Sequence, residues 1–129
     1  EEGSVSLQVH TAQIRYVKAN LPDAFDVSRL GAWQARKAGT SLDGEIFAPS
    51  WELLKDCKAG LVTQQQYEER YIAEQRASLK ENTHVWRWFF QKQRIVVCCY
   101  EKYGDFCHRH ILREYILPRL GAKDMGEIR

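Results

Sequence analysis

Apolar and polar positions change period several times along this chain, and the changes mark its elements. Val5, Leu7 and Val9 alternate with Ser6, Gln8 and His10, the two-residue period of a half-buried strand that runs out through Thr11 to Tyr16. Leu21-Pro22-Asp23-Ala24 reads as a turn, and Phe25-Asp26-Val27 as a second short strand. From Arg29 to Glu45 no period holds. Gly31, Gly39 and Gly44 among Ser, Thr and Asp make a long loop with room for one helical turn, and loops of that length in compact domains are usually functional or mobile.

Helical spacing begins at Pro49-Ser50, with Ser50 as N-cap and Trp51, Leu53 and Leu54 turned inward, and ends at Ala59-Gly60. Thr63 followed three residues on by Gln66 fits a capping box for a helix over Gln64 to Leu79. Its inner face carries Tyr67, Tyr71 and Gln75, with Ile72 beside them. A further helix over Thr83 to Gln91 carries Val85, Trp86, Phe89 and Phe90. Arg94 to Cys99 is a β-branched run of the kind buried on both faces in parallel sheets. The last helix starts near Phe106 and meets Pro118, which ends it around Leu117. Helices lie between the first strands and the Ile95 strand, so crossover connections follow. The expected fold is one compact α/β domain spanning residues 1–129, a small, mostly parallel sheet flanked by helices.

Composition narrows the classes. The 129 residues suit a single core, and no stretch approaches the roughly 20 apolar residues of a membrane span. A net charge of +2 is too weak a bias to point to nucleic acid by itself. The four cysteines are Cys57, Cys98, Cys99 and Cys107. Two adjacent ones in an apolar run make a poor disulfide framework, so the expectation is free thiols in a reducing, cytoplasmic compartment.

The chemistry concentrates between Cys98 and Arg109. A buried strand ends at Cys99, a Gly-containing loop follows, and a helix opens at Asp105, its expected cap. Ligands of open α/β sheets sit at such strand ends beside helix N-termini, where an anion or thiolate is favoured. Cys107 and His108 fall in the first helical turn, and Cys99 lies within reach across the loop. Arg109 is expected to point back over the helix start as an anion clamp, and Arg113, one turn on, to be solvated. The bland readings are a Cys98 that is merely a small core residue and a His108 that is a satisfied core histidine. A structural zinc at the same cysteines is a rival, although Cys99, Cys107, His108 and His110 lack the usual ligand spacing. No metal and no cofactor is therefore expected.

Several blocks occur together in a recognisable order. They are Phe47-Ala48-Pro49-Ser50-Trp51, Leu54, Lys58-Ala59-Gly60, Tyr67, Tyr71, the run from Cys99 to Arg109, Leu120-Gly121-Ala122, and Gly126-Glu127. In them the chain resembles the domain-of-unknown-function 488 family, in the compact form common in bacteria and their phages. The resemblance covers nearly everything from Thr11 onward, and the Cys-His-Arg ending at Cys107 to Arg109 is its most specific part. It implies a compact α/β fold with a polar pocket. Two departures stand out: a longer Arg29–Glu45 loop carrying Trp33, Arg36 and Lys37, and Glu101 where many relatives have a third cysteine.

Two functions follow as expectations. One is an enzyme acting on a nucleotide-like or phosphate-bearing substrate. Cys107, His108, Glu101 and Cys99 would be its catalytic residues, and Arg109, Arg15, Tyr16, Tyr67 and Tyr71 would hold the substrate. The other is a non-enzymatic module for nucleic acid or another ligand. Basic and aromatic residues interleave in Arg15 to Lys18, Trp33 to Lys37 and Trp86-Arg87-Trp88, a pattern suited to stacking on single strands.

Overall fold

In the computed structural model, the described residues are 6–13, 23–27, 42–99 and 107–128. Four strands form one sheet in the order β2-β3-β1-β4. They are β1 (Gln8–Gln13), β2 (Ala24–Asp26), β3 (Arg94–Cys99) and β4 (Lys123–Ile128). Every pairing is parallel: β1 with β3 from Gln8↔Arg94 to Gln13↔Cys99, β2 with β3, and β1 with β4. The α/β fold expected from the sequence is thus present, with an all-parallel sheet.

Between β2 and β3 come a 3₁₀ helix (Leu42–Phe47), α1 (Trp51–Lys58), α2 (Gln64–Glu81) and α3 (Thr83–Phe90). Between β3 and β4 come α4 (His108–Ile111), a π-helical continuation (Leu112–Ile116) and a 3₁₀ turn (Pro118–Leu120). Both crossovers move the same way across the sheet. Right-handed connections therefore lay both sets of helices on one face. That face holds the main core, where Val9, Phe25, Ile95 and Val97 meet Leu53, Tyr71, Trp86, Phe89, Ile111, Leu112 and Leu117. The opposite face is built from small side chains, Ala12, Ala24, Val96 and Cys98. No helix among the described residues is long and apolar enough to cross a membrane.

The local signals act as expected in most places. Thr63 and Gln66 form both halves of the capping box that opens α2. Tyr67, Tyr71 and Gln75 are its buried stripe. Trp51 is different: it is 56% exposed, and the inner face of α1 is filled by the fully buried Leu53 with the half-buried Cys57 one turn on. As the first residue of the helix, Trp51 precedes the turn that packs on the core.

Ser50 does more than cap α1. Its Oγ accepts from the Leu53 amide at 3.1 Å, while its own amide and hydroxyl donate to the two Glu74 oxygens at 2.8 and 2.5 Å. This ties α1 to α2 across 24 residues of chain. Ser50→Ala removes the cap and leaves a charged acceptor half-satisfied, so a loss of about 1.5–3 kcal/mol in urea unfolding is expected. Ser50→Asp is the discriminating control. Aspartate is a good N-cap, but here its carboxylate faces Glu74, so it should be no better than alanine. An aspartate variant as stable as the parent would mean the cap matters and the Glu74 tie does not.

Candidate functional site

Side-chain parity along β3 decides which cysteine reaches the helices. Ile95, Val97 and Cys99 face the main core, while Val96 and Cys98 face the opposite side. Cys99 therefore emerges at the carboxyl end of the central strand on the side where α4 begins. Cys107, the residue before α4, meets it there. Their sulfurs are brought into direct contact, while Cys57 and Cys98 stand outside the pair. The expected convergence of Cys99 and Cys107 is present, at a Cα separation of 8.0 Å that is wider than a relaxed disulfide spans.

His108 is 6% exposed, and its Nε2 donates to the Val27 carbonyl at 2.7 Å. That bond fixes the ring, leaving Nδ1 3.9 Å from Cys107 Sγ. Beneath it lies Tyr71, with ring centroids 5.5 Å apart. Tyr71 is wholly buried and its hydroxyl donates to the Phe47 carbonyl at 2.6 Å. Burial first, then Tyr67 and Glu74, hold that hydroxyl well above its ordinary pKa, so it acts only as a donor. Tyr67 stacks on Tyr71 at 6.3 Å and is 4% exposed. Tyr71 thus packs beneath His108, and Tyr67 packs on Tyr71.

Arg109 departs from expectation. It is fully buried, and its guanidinium is taken by Glu127 on β4, with Nε to Oε1 at 3.2 Å and Nη2 to Oε2 at 2.8 Å. Its remaining Nη1 reaches Cys99 Sγ at 3.0 Å. The anion that this fork clamps is the protein's own carboxylate; residues 101–106, toward which it was expected to aim, lie outside the described residues. Burial alone would raise the Glu127 pKa. Hydrogen bonds from Arg109 and Thr11 and the charges of Arg109 and His110 outweigh burial and lower it. Arg113 also corrects its expectation of solvation. It is 7% exposed, donates to Thr11 Oγ1 and Glu114 Oε2, each at 2.6 Å, and places Nε 2.8 Å from Asp124. The physical reason is β4: a strand that brings Asp124 and Glu127 alongside β1 gives both arginines carboxylate partners.

One cavity opens on this cluster. It measures about 230 Å³ and is lined by Gln64, Glu68, Cys107, His110, Ile111, Glu114 and Tyr115. Cys107 is thus only 4% exposed yet forms part of a cavity wall, with His110 one helical turn on. Burial, and then the Arg109 and Arg113 charges, lower the His110 pKa against the pull of Glu127, keeping this imidazole neutral at pH 7. His110 was weighed in the sequence only as a metal ligand. Its three-residue spacing from Cys107 was the signal for a shared face. Glu127, Thr11 and Asp124 carried no local signal. Among the described residues no three His, Cys, Asp or Glu side chains gather as a metal site. Arg15, Tyr16, Glu101, Asp105 and most of the Arg29–Glu45 loop lie outside the described residues.

A parallel sheet with paired cysteines, two histidines and two buried guanidiniums at its carboxyl edge defines an α/β protein with a cysteine-centred site. A family model described as the active DUF488-N3 subclade matches residues 28–120, and the chain belongs to the DUF488 family. That span includes Cys99, Cys107, His108 and Arg109 but not the β1 and β4 residues that pair with the arginines. Neither a curated protein nor a solved structure matches the chain.

Proposed function

We propose that the protein is a thiol-dependent enzyme acting on a nucleotide-like or phosphate-bearing substrate, with Cys107 in its thiol form as nucleophile. One observation carries the reading: Cys107 lines a cavity together with His110 while His108 Nδ1 stands 3.9 Å from its sulfur. In the dithiol form His108 takes the Cys107 proton, because its Nε2 proton is already committed to Val27. The thiolate attacks an electrophilic carbon of the substrate, and His108 returns the proton to the leaving group. A water then attacks that carbon, the sulfur–carbon bond breaks, and neutral His110 takes the proton of the water. Cys99, held by Arg109, is the partner thiol rather than the attacking one, because it is fully buried.

The test is competitive alkylation of the reduced protein with iodoacetamide at pH 7, mapped by peptide mass spectrometry. Cys107 should react first, ahead of Cys57 by roughly tenfold or more, and His108→Gln should remove that lead. At least one of the four common nucleoside monophosphates should slow the Cys107 reaction. A Cys107 no faster than Cys57 would end the nucleophile reading. Equal rates with and without every nucleotide would remove the substrate class.

A further inference from the structure

With Arg109 engaged by Glu127, the described part of the Cys107 site offers no free cation for a substrate anion. The structure supplies two elsewhere. A second cavity of about 240 Å³ is lined by Glu68, Ile72, Gln75, Arg76, Leu79, Trp86, Tyr115, Ile116, Arg119 and Leu120. It shares Glu68 and Tyr115 with the cavity at Cys107. The pair forms one groove between α2 and the helical segment after β3, running from Cys107 and Gln64 at one end to Leu120 and Leu79 at the other.

The distant half of this groove has three features that ask for a ligand. Its body is apolar, from Ile72, Leu79, Trp86 and Ile116. Gln75 is 2% exposed, and its Oε1 is buried with no hydrogen-bond partner, an acceptor withdrawn from water and left unsatisfied. A native side chain in that condition is costly unless something else supplies the donor. Finally, Arg76 and Arg119 reach the wall from opposite sides, and among the described residues neither has an ion-pair or hydrogen-bond partner. Glu68 sits at the junction of the two cavities, so an anion is repelled there and favoured only at the arginine side.

We propose that this groove binds a flat, apolar ring system bearing an N–H group and a phosphate. The ring lies against Trp86 and Ile72, the N–H donates to Gln75 Oε1, and the phosphate meets Arg76 and Arg119. The proposal deepens the reading of Cys107 as nucleophile, and it rests on that reading for the claim that the bound molecule is the substrate. The electrophilic part of that molecule then extends past Glu68 and Tyr115 to Cys107, and substrate selection happens on the helix side of the sheet.

The probe is 3-indolyl phosphate, compared with 1-naphthyl phosphate, which lacks the N–H, and indole, which lacks the anion. Binding is read by amide and Trp86 indole shifts in the Cys107→Ser protein, so that thiol chemistry plays no part. The expected dissociation constant for 3-indolyl phosphate is on the order of 1 mM or tighter, the range of a ligand of that size. Naphthyl phosphate and indole should each bind at least about fivefold more weakly, from the lost hydrogen bond and the lost charge. Gln75→Leu conserves volume and removes the unsatisfied amide, so it should erase the preference for the indolyl ring without weakening the fold. Arg76→Gln with Arg119→Gln should weaken both phosphates about tenfold and leave indole unchanged. Equal affinities for the three probes, or shifts confined to residues outside the groove, would overturn the proposal. So would a stable dimer in sedimentation whose interface covers Tyr115 and Leu120. Alkylation of Cys107 reads the thiol separately, so a failure of the groove and a failure of the nucleophile are told apart.

Discussion

Arg109→Met is expected to lower the stability of the domain by about 3–5 kcal/mol in urea unfolding at pH 7. The guanidinium is fully enclosed and the Glu127 side chain is 1% exposed. Removing the cation leaves a carboxylate inside the protein with Thr11 as its remaining hydrogen-bond donor and His110 nearby. The cost is that of an uncompensated buried charge, not the net worth of the pair. Arg109→Met with Glu127→Leu should therefore recover most of the loss, because two apolar side chains replace two desolvated charges. The parent should also show an acid limb. Glu127 has its folded-state pKa depressed, so its contribution is fully present above the ordinary carboxylate value and is lost as pH falls through the lower folded value. Stability should decline from about pH 5 downward, and the double variant should have a shallower decline. A single variant losing less than about 1 kcal/mol would mean that water reaches Glu127 and that the pair behaves as a surface salt bridge.

How far the sequence foretold this molecule depends on where each residue finds its partner. Elements whose signals are local were legible. Arg94 to Cys99 is strand because its β-branched run suits a sheet centre, and it pairs on both sides. Thr63 and Gln66 bond each other across three residues, so the start of α2 needed nothing distant. β4 was missed. Lys123 to Ile128 is an edge strand, exposed over its first half, with Gly126 at φ +87° beside an irregularity in its pairing with β1. Nothing in that stretch alternates as Val5 to Val9 do, and only its docking on β1 makes it strand.

The same omission explains the misjudged arginines. From sequence, Arg109 and Arg113 share a helix face with no acid on their own element placed to bury them, so an anion clamp and a solvated charge were the sensible readings. Glu127 takes Arg109, and Asp124 joins the neighbouring Glu114 on Arg113; Glu127 and Asp124 both arrive on the missed strand. The cysteines show the opposite balance. The position of Cys99 at the strand end and of Cys107 at the helix start followed from local pattern, and so did their meeting. The groove along α2 needed two elements whose relative placement no local pattern fixes.

Trp86→Ala should cost about 3–5 kcal/mol, a large aromatic truncation in a core that cannot readily collapse. Trp86 is 1% exposed and meets the Phe47 ring edge-on at 4.9 Å, and Phe47 in turn packs on Phe89 at 4.8 Å. The residue is also tethered by its polar edge: Nε1 donates to Ser78 Oγ at 3.1 Å, and Ser78 Oγ donates to the Ile46 carbonyl at 3.2 Å. One indole thus joins α3, α2 and the 3₁₀ helix before α1. Trp86→Phe separates the two contributions, because it keeps most of the ring contact and removes the donor. Its expected cost is about 1–2 kcal/mol, a lost hydrogen bond plus a small void. The groove gives the pair of variants a second readout. Trp86 forms part of the groove wall beside Gln75, so alanine should enlarge the cavity and phenylalanine should leave its outline nearly unchanged. If Trp86→Ala instead lost less than about 1.5 kcal/mol, the neighbouring chain would have to close over the gap, and the groove would not be the rigid, preformed wall that selective binding requires.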